Sequence, residues 1–216
     1  MSFGYFGKLP SRGDFLAKGL PETMLAPLDE WLRQGLDVAR RQFGDKWHDI
    51  YLTSPAWRFS LSAGIAGPTA AAGVMVPSTD RSHRDFPFVI ACRVAPDYGP
   101  AQLAACLSGW LDAAAELAVV AVNRELDPAA LDQRMGALGP PPPPPLPGRT
   151  RQWRLEGIGD PATALPVLLD QAVSSSMSRP SFWWSEGADP ASSTSLMQDG
   201  WPTTAQLCSM LSGSWG

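Results

Sequence analysis

Apolar residues recur along this chain at two distinct spacings, and the switch between them predicts where helix gives way to strand. From Leu25 the apolar positions Leu25, Leu28, Leu32, Leu36, Ala39 and Phe43 step by threes and fours. That spacing predicts an amphipathic helix ended by Gly44, with Pro27 in its first turn. Trp57, Phe59 and Leu61 then alternate with Arg58, Ser60 and Ser62, the period of a strand with one buried and one wet face. A strand follows at 70–76. Residues 86–94 are apolar on both faces, with Phe86, Phe88, Ile90 and Cys92 against Val89 and Ala91, which predicts a central strand covered by helices. Turn residues separate the three strands and favour an antiparallel meander. Phe3 to Phe6 is a short aromatic run stopped by Gly7 and Pro10, read as an edge strand entering a loop.

Residues 101–123 contain no proline and carry Leu103, Leu107, Trp110, Ala114, Leu117 and Ala121 at helical spacing, which predicts one long core helix. Asp127 is placed to cap a shorter helix that opens with Pro128 and fades near Gly136. Pro140 to Pro145, with Leu146 and Pro147 behind them, can neither donate hydrogen bonds nor turn helical; they form a stiff polyproline spacer of about 25 Å. Beyond it the pattern predicts strands around 153–155, 182–184 and 195–197, a helix opening near Pro161 and a last helix from Thr203. There is no internal repeat. The reading is a single α/β (α+β) domain over 1–216, a mainly antiparallel central sheet flanked by helices, with the polyproline stretch at 140–147 as a surface connection.

Composition narrows the function. A chain of 216 residues and 23.2 kDa supports one sizeable core and leaves little room for a second. Hydrophobic residues make up 44% and charged residues 18%, which is globular composition. A net charge of -4 and a pI near 5.1 provide no general attraction for nucleic acid or anionic lipid. The N-terminus lacks the apolar core of a signal peptide and no apolar run reaches membrane-spanning length, so a cytoplasmic protein without membrane insertion is expected. Cys92, Cys106 and Cys208 are too far apart for a metal knuckle and odd in number, and read as buried small hydrophobes. With 9 Trp against 3 Tyr, the chain is rich in side chains that build cores and anchor interfaces.

The search for catalytic patterns returns little. Gly157, Gly159 and Ala162 imitate a dinucleotide-binding turn, but Pro161 removes an N–H the pyrophosphate needs, so a capped turn is the better reading. No P-loop, zinc-protease helix or kinase signature occurs, so no catalytic, cofactor or metal residue is assigned. The alternative is a small hydrolase or phosphatase-like enzyme in the 78–87 loop, using His83 with Asp80 or Asp85 beside Ser78. The segment from Pro77 to Pro87 is nonetheless dense in charge; its Arg81 and Arg84 can grip carboxylates bidentately or brace a loop. A second such segment runs from Phe6 to Phe15.

These two segments, with Ser181-Phe182-Trp183-Trp184, resemble the TagF (ImpM) family of bacterial type VI secretion accessory proteins. The family pattern F-G-K-L-P-x-x-G-D-F is met from Phe6 to Phe15 without a gap; P-S-x-D-R-x-G-R-x-F-P is met from Pro77 to Pro87 with His83 where glycine is usual. A W-W element followed by a G-L-P-like turn corresponds to Trp183-Trp184 and Gly200-Trp201-Pro202, where Trp201 departs from the pattern. The resemblance implies a longin-like α/β domain with an antiparallel sheet. It also implies a non-enzymatic, post-translational repressor that binds the forkhead-associated scaffold protein of the machine and blocks assembly. The expected protein-binding residues are Lys8, Arg12, Asp14, Ser78, Asp80, Arg81, Arg84, Trp183 and Trp184. The competing expectation for the charged ones is internal: Arg81 or Arg84 pairs with Asp14 or Asp80 and pins two loops together.

Overall fold

The computed structural model describes residues 2–95, 98–143, 160–187 and 192–215. In chain order it holds β1 (Ser2–Gly7), β2 (Leu16–Lys18), α1 (Glu22–Phe43), α2 (Trp47–Leu52), β3 (Trp57–Leu61), β4 (Ala70–Val76), β5 (Phe88–Val94), α3 (Pro100–Cys106), α4 (Ser108–Asn123), α5 (Pro128–Leu138), α6 (Pro161–Val173), β6 (Pro180–Ser185), β7 (Thr194–Asp199) and α7 (Thr204–Ser212). The strands form one sheet in the order β2-β1-β5-β4-β3-β6-β7, antiparallel at every pairing. The predicted meander is β3-β4-β5. The strand expected at 153–155, the end of the polyproline run, and Gly157 and Gly159 lie outside the described residues.

Strand alternation splits the apolar residues into two cores. On one face Trp57, Phe59, Val89, Ala91 and Trp183 meet Leu28, Leu32 and Leu36 of α1 and Leu207 of α7. On the other, Val74, Phe88, Ile90 and Cys92 meet Leu103 of α3, Leu111 and Ala118 of α4, and Leu107 between the two helices. The sheet is therefore the middle of three layers, and its inner strands are apolar on both sides because neither side sees water. Each buried Trp among the described residues also finds a partner for its N–H: Trp31 donates to the Pro202 carbonyl at 2.7 Å, Trp57 to that of Met210 and Trp110 to that of Gly139, both at 3.0 Å, Trp183 to Ser181 Oγ at 3.1 Å and Trp47 to Asp85 at 2.6 Å. The Trp surplus is mostly spent on the core.

Four expectations change once the layers are assembled. β1 is not an edge strand, because the three-residue β2 pairs beside it and takes the edge. The polar face of β3 is not wet: Ser60 is fully buried and donates to the Pro100 carbonyl at 2.7 Å, while Arg58 reaches Asp112 at 2.9 Å. Helix groups replace water there. Pro27 falls in the second turn of α1, which starts early enough to bury Met24 on the same stripe as Leu28. The long helix is two, α3 and α4, bent by 75° at Leu107, so that one packs toward α6 and the other along the sheet. Cys92 and Cys208 are buried as expected, whereas Cys106 is half-buried. Among the described residues no single helix is long and apolar enough to cross a membrane.

α3 has no cap of its own; Asp170 of α6 accepts from the Ala101 and Gln102 amides, both at 2.8 Å. Gly99 leaves the room, since a methyl group there would collide with the Asp170 carboxyl. Burial pushes Asp170 up to about 6, the two amide bonds pulling the other way without cancelling it. A carboxyl raised on folding stabilises the fold fully below its ordinary value near 3.8, and that contribution is lost as pH rises through about 6. Asp170→Asn, neutral throughout, should remove this dependence. The stability difference between wild type and variant, from urea titrations, should shift by about 3 kcal/mol against the wild type between about pH 4 and 7.

Candidate functional site

The two charged segments are about seventy positions apart in the chain, yet the β1–β5 pairing, with Gly7 opposite Phe88, places both loops at one end of the sheet. Asp80 is the hub. Its side chain is fully buried and lies 3.0 Å from the Lys8 ammonium; one oxygen accepts from the Ser82 and Arg84 amides at 2.8 and 3.0 Å, the other from Arg84 Nε at 2.7 Å. Burial alone would raise this carboxyl, but the hydrogen bonds from the Arg84 amide, Lys8, the Ser82 amide and the Arg84 guanidinium prevail and hold it at about 2.

From that hub the second loop grips the first. Arg84 Nη2 donates to the Gly13 carbonyl and Arg81 Nη2 to the Ser11 carbonyl, each at 2.7 Å, and the Arg81 amide donates to the Arg12 carbonyl at 2.8 Å. Ser78, fully buried, donates to the Lys8 carbonyl at 2.7 Å and shares a pair of bonds with the Tyr51 hydroxyl. Asp85 ties in α2 by accepting from Trp47 Nε1 at 2.6 Å, with His48 Nδ1 at 3.0 Å. Arg40 of α1 donates to the Asp85 carbonyl at 2.8 Å.

The structure thus brings together seven of the nine expected residues. Lys8, Ser78 and Asp80 are buried and brace the loops; Arg12, Asp14, Arg81 and Arg84 are exposed around them. The internal pairing of Arg84 with Asp80 is present. The two tryptophans are elsewhere, on β6, and are not an exposed pair, since successive residues of a strand face opposite ways. Trp183 is fully buried, with its ring centroid 5.1 Å from those of both Trp31 and Phe59, whereas Trp184 is half-buried on the opposite face.

Beside the loops lies a groove of about 530 Å³ lined by Phe15, Arg33, Arg40, Trp47, Arg84 and Phe86 among others. Arg33 sits 5.1 Å over the Phe15 ring and 5.6 Å over Phe86, and Arg40 5.5 Å over Trp47. Sequence reasoning missed both arginines and Trp47. The available signal was the spacing of seven between Arg33 and Arg40, two helical turns on one face, which is indistinguishable from an ordinary solvated face.

The hydrolytic alternative finds no assembled set of groups. Ser78 Oγ donates to backbone carbonyls, Asp80 holds cations, and Asp85 faces His48 instead of His83. Among the described residues no group of three or more His, Cys, Asp or Glu is placed to hold a metal ion. His83 has another distinction: its φ is 57°, the left-handed conformation that favours glycine. His83→Gly should therefore stabilise the protein by about 1 kcal/mol, raising Tm by about 2–4 °C in a thermal melt. A lower Tm would contradict this.

A family model described as the TagF N-terminal domain, type VI secretion system-associated, matches residues 4–138. The solved structure of PA0076 from Pseudomonas aeruginosa PAO1 aligns with a TM-score of 0.84 at 32% identity, covering 100% of this chain and 96% of that one. A search of curated proteins gives no match.

Proposed function

The chain belongs to the TagF family of type VI secretion system-associated proteins, and from that membership we propose that it is a non-enzymatic, post-translational repressor of type VI secretion. It acts by binding a forkhead-associated scaffold protein and blocking assembly of the machine. The observation that carries this reading is the family match over 4–138, a stretch that contains both charged loops and the α1 residues facing them. The loops are built like a docking platform: a buried carboxylate, paired with the buried Lys8, fixes their conformation, and Arg84, which it also orders, stands at the surface. On this reading Arg12, Asp14, Arg81 and Arg84 contact the partner, and Lys8, Ser78 and Asp80 hold them in place.

Two measurements test the proposal. Titration calorimetry of the purified protein against the purified scaffold, with and without prior threonine phosphorylation, should give submicromolar binding in at least one state. Overproduction in a secreting strain should suppress release of secretion substrates without lowering the amounts of the machine's components. Absence of binding in both states would remove the scaffold as the partner.

A further inference from the structure

The charges around the groove are arranged unequally in depth. Asp80 and Asp85 are buried, at 0% and 8% side-chain exposure, whereas Arg84, Arg33 and Arg40 are 62%, 55% and 42% exposed. Each guanidinium is anchored within the protein: Arg84 on Asp80 and the Gly13 carbonyl, Arg40 on the Asp85 carbonyl, Trp47 and, at 3.5 Å, Asp37, and Arg33 on Asp29 and the Phe15 and Phe86 rings. A guanidinium has five N–H donors, so each keeps donors for a ligand arriving from solvent. Asp37, at 63% exposure, is the carboxylate that such a ligand also meets. Phe15, 38% exposed, offers an apolar patch between the cations.

From this we infer that the groove between α1 and the two loops binds an acidic segment of a partner protein, with carboxylates on Arg33, Arg40 and Arg84 and an apolar side chain on Phe15. The inference rests on the partner-binding reading above and deepens it by naming the chemistry of the bound segment. A rival surface exists: a mostly apolar groove of about 640 Å³ between α3, α6, β6 and β7, with Leu165 and Leu169 exposed at its rim. It takes Leu165, Pro166, Leu169, Phe182, Trp184, Glu186 and Met197 from beyond the family-matched stretch, whereas every residue lining the arginine groove lies within 4–138. The charged residues lining the rival groove are Asp112 and Glu186, which repel an acidic segment, whereas the second groove carries three exposed guanidiniums. Preorganised guanidiniums also suit planar carboxylates, because little rotamer freedom remains to be lost on binding.

The test uses two probes, a fluorescent hexaglutamate peptide followed by anisotropy and the purified scaffold followed by calorimetry, each at about 50 and about 300 mM salt. Wild type should bind both, more weakly at high salt. Arg33→Glu, which loses an exposed pair with Asp29 and the contact with the Phe15 and Phe86 rings, and Arg40→Glu should each weaken binding by about tenfold at low salt. Leu169→Ser, in the rival groove, should change neither. Circular dichroism melts confirm that the variants are folded, and Arg33→Glu keeps the test decisive should Arg40→Glu unfold. Reversals that leave both probes unaffected overturn the inference, as does scaffold binding weakened by Leu169→Ser alone. Hexaglutamate binding that is lost in the reversals, with no scaffold binding by wild type, sinks the scaffold proposal and leaves the acidic-segment site standing.

Discussion

Gly7→Ala is expected to remove a large part of the fold's stability. Gly7 has φ of 130°, a region that side-chain-bearing residues rarely enter. A methyl group there would collide with the Pro87 carbonyl oxygen and lie 2.9 Å from Phe88 Cα. Both obstacles are backbone, held by the β1–β5 ladder at the point where it opens into the two loops, so neither can rotate aside. Relief requires β1 to separate from β5, which exposes the fully buried Leu9 and Phe88 and disturbs the Lys8–Asp80 pair. A cost of roughly 4 kcal/mol or more is expected, against a total stability of about 5–15 kcal/mol for a domain. Urea titration of the soluble fraction provides the check. A midpoint equivalent to less than about 1 kcal/mol of loss would show that the junction yields more easily than its geometry implies.

Asp80→Ala should have the next largest effect, about 3–5 kcal/mol of destabilisation. It leaves the Lys8 ammonium buried at 9% exposure without its carboxylate and removes the acceptor for two amides and Arg84. The pH dependence carries a second signature. Because the carboxyl is held at about 2, below its ordinary 3.8, its contribution is complete above 3.8 and is lost as pH falls through about 2. Asp80→Asn should therefore flatten acid unfolding across that window. Arg84→Ala should cost only about 1 kcal/mol, since its side chain is 62% exposed and solvent screens the pair. If Arg84→Ala proves as damaging as Asp80→Ala, bracing and not contact is the main role of that arginine.

Much of the site was legible because motif density is a local property. Charge, glycine and aromatic residues crowd together at 6–15 and 77–87, and both segments meet at one site. What could not be read was depth. Lys8, Ser78 and Asp80 look like surface residues in sequence, yet all three are buried, because a polar residue is buried wherever the fold supplies its partners. Trp183 and Trp184 look like one feature and are two, on opposite faces of a strand. Arg33 and Arg40 join the site through the way α1 lies over the loops, which no helical periodicity reports.

The chain by itself determined the elements whose causes lie within a few residues. α1 came from the three-and-four spacing after Leu25. α5 came from Asp127, which accepts from the Ala130 amide, and α7 from Thr203 and Gln206, which cap each other. Every described strand but β2 was read from the local pattern of apolar residues and turn signals. Tertiary structure decided what depends on partners far along the chain: that β2 shields β1, that α3 turns 75° from α4 and takes its cap from Asp170, and that Arg58 and Ser60 go dry. The reason is the range of the forces. Dihedral preference, capping and periodic burial act over one or two turns, whereas which face is covered, and which charge is paired, is settled only when the layers close.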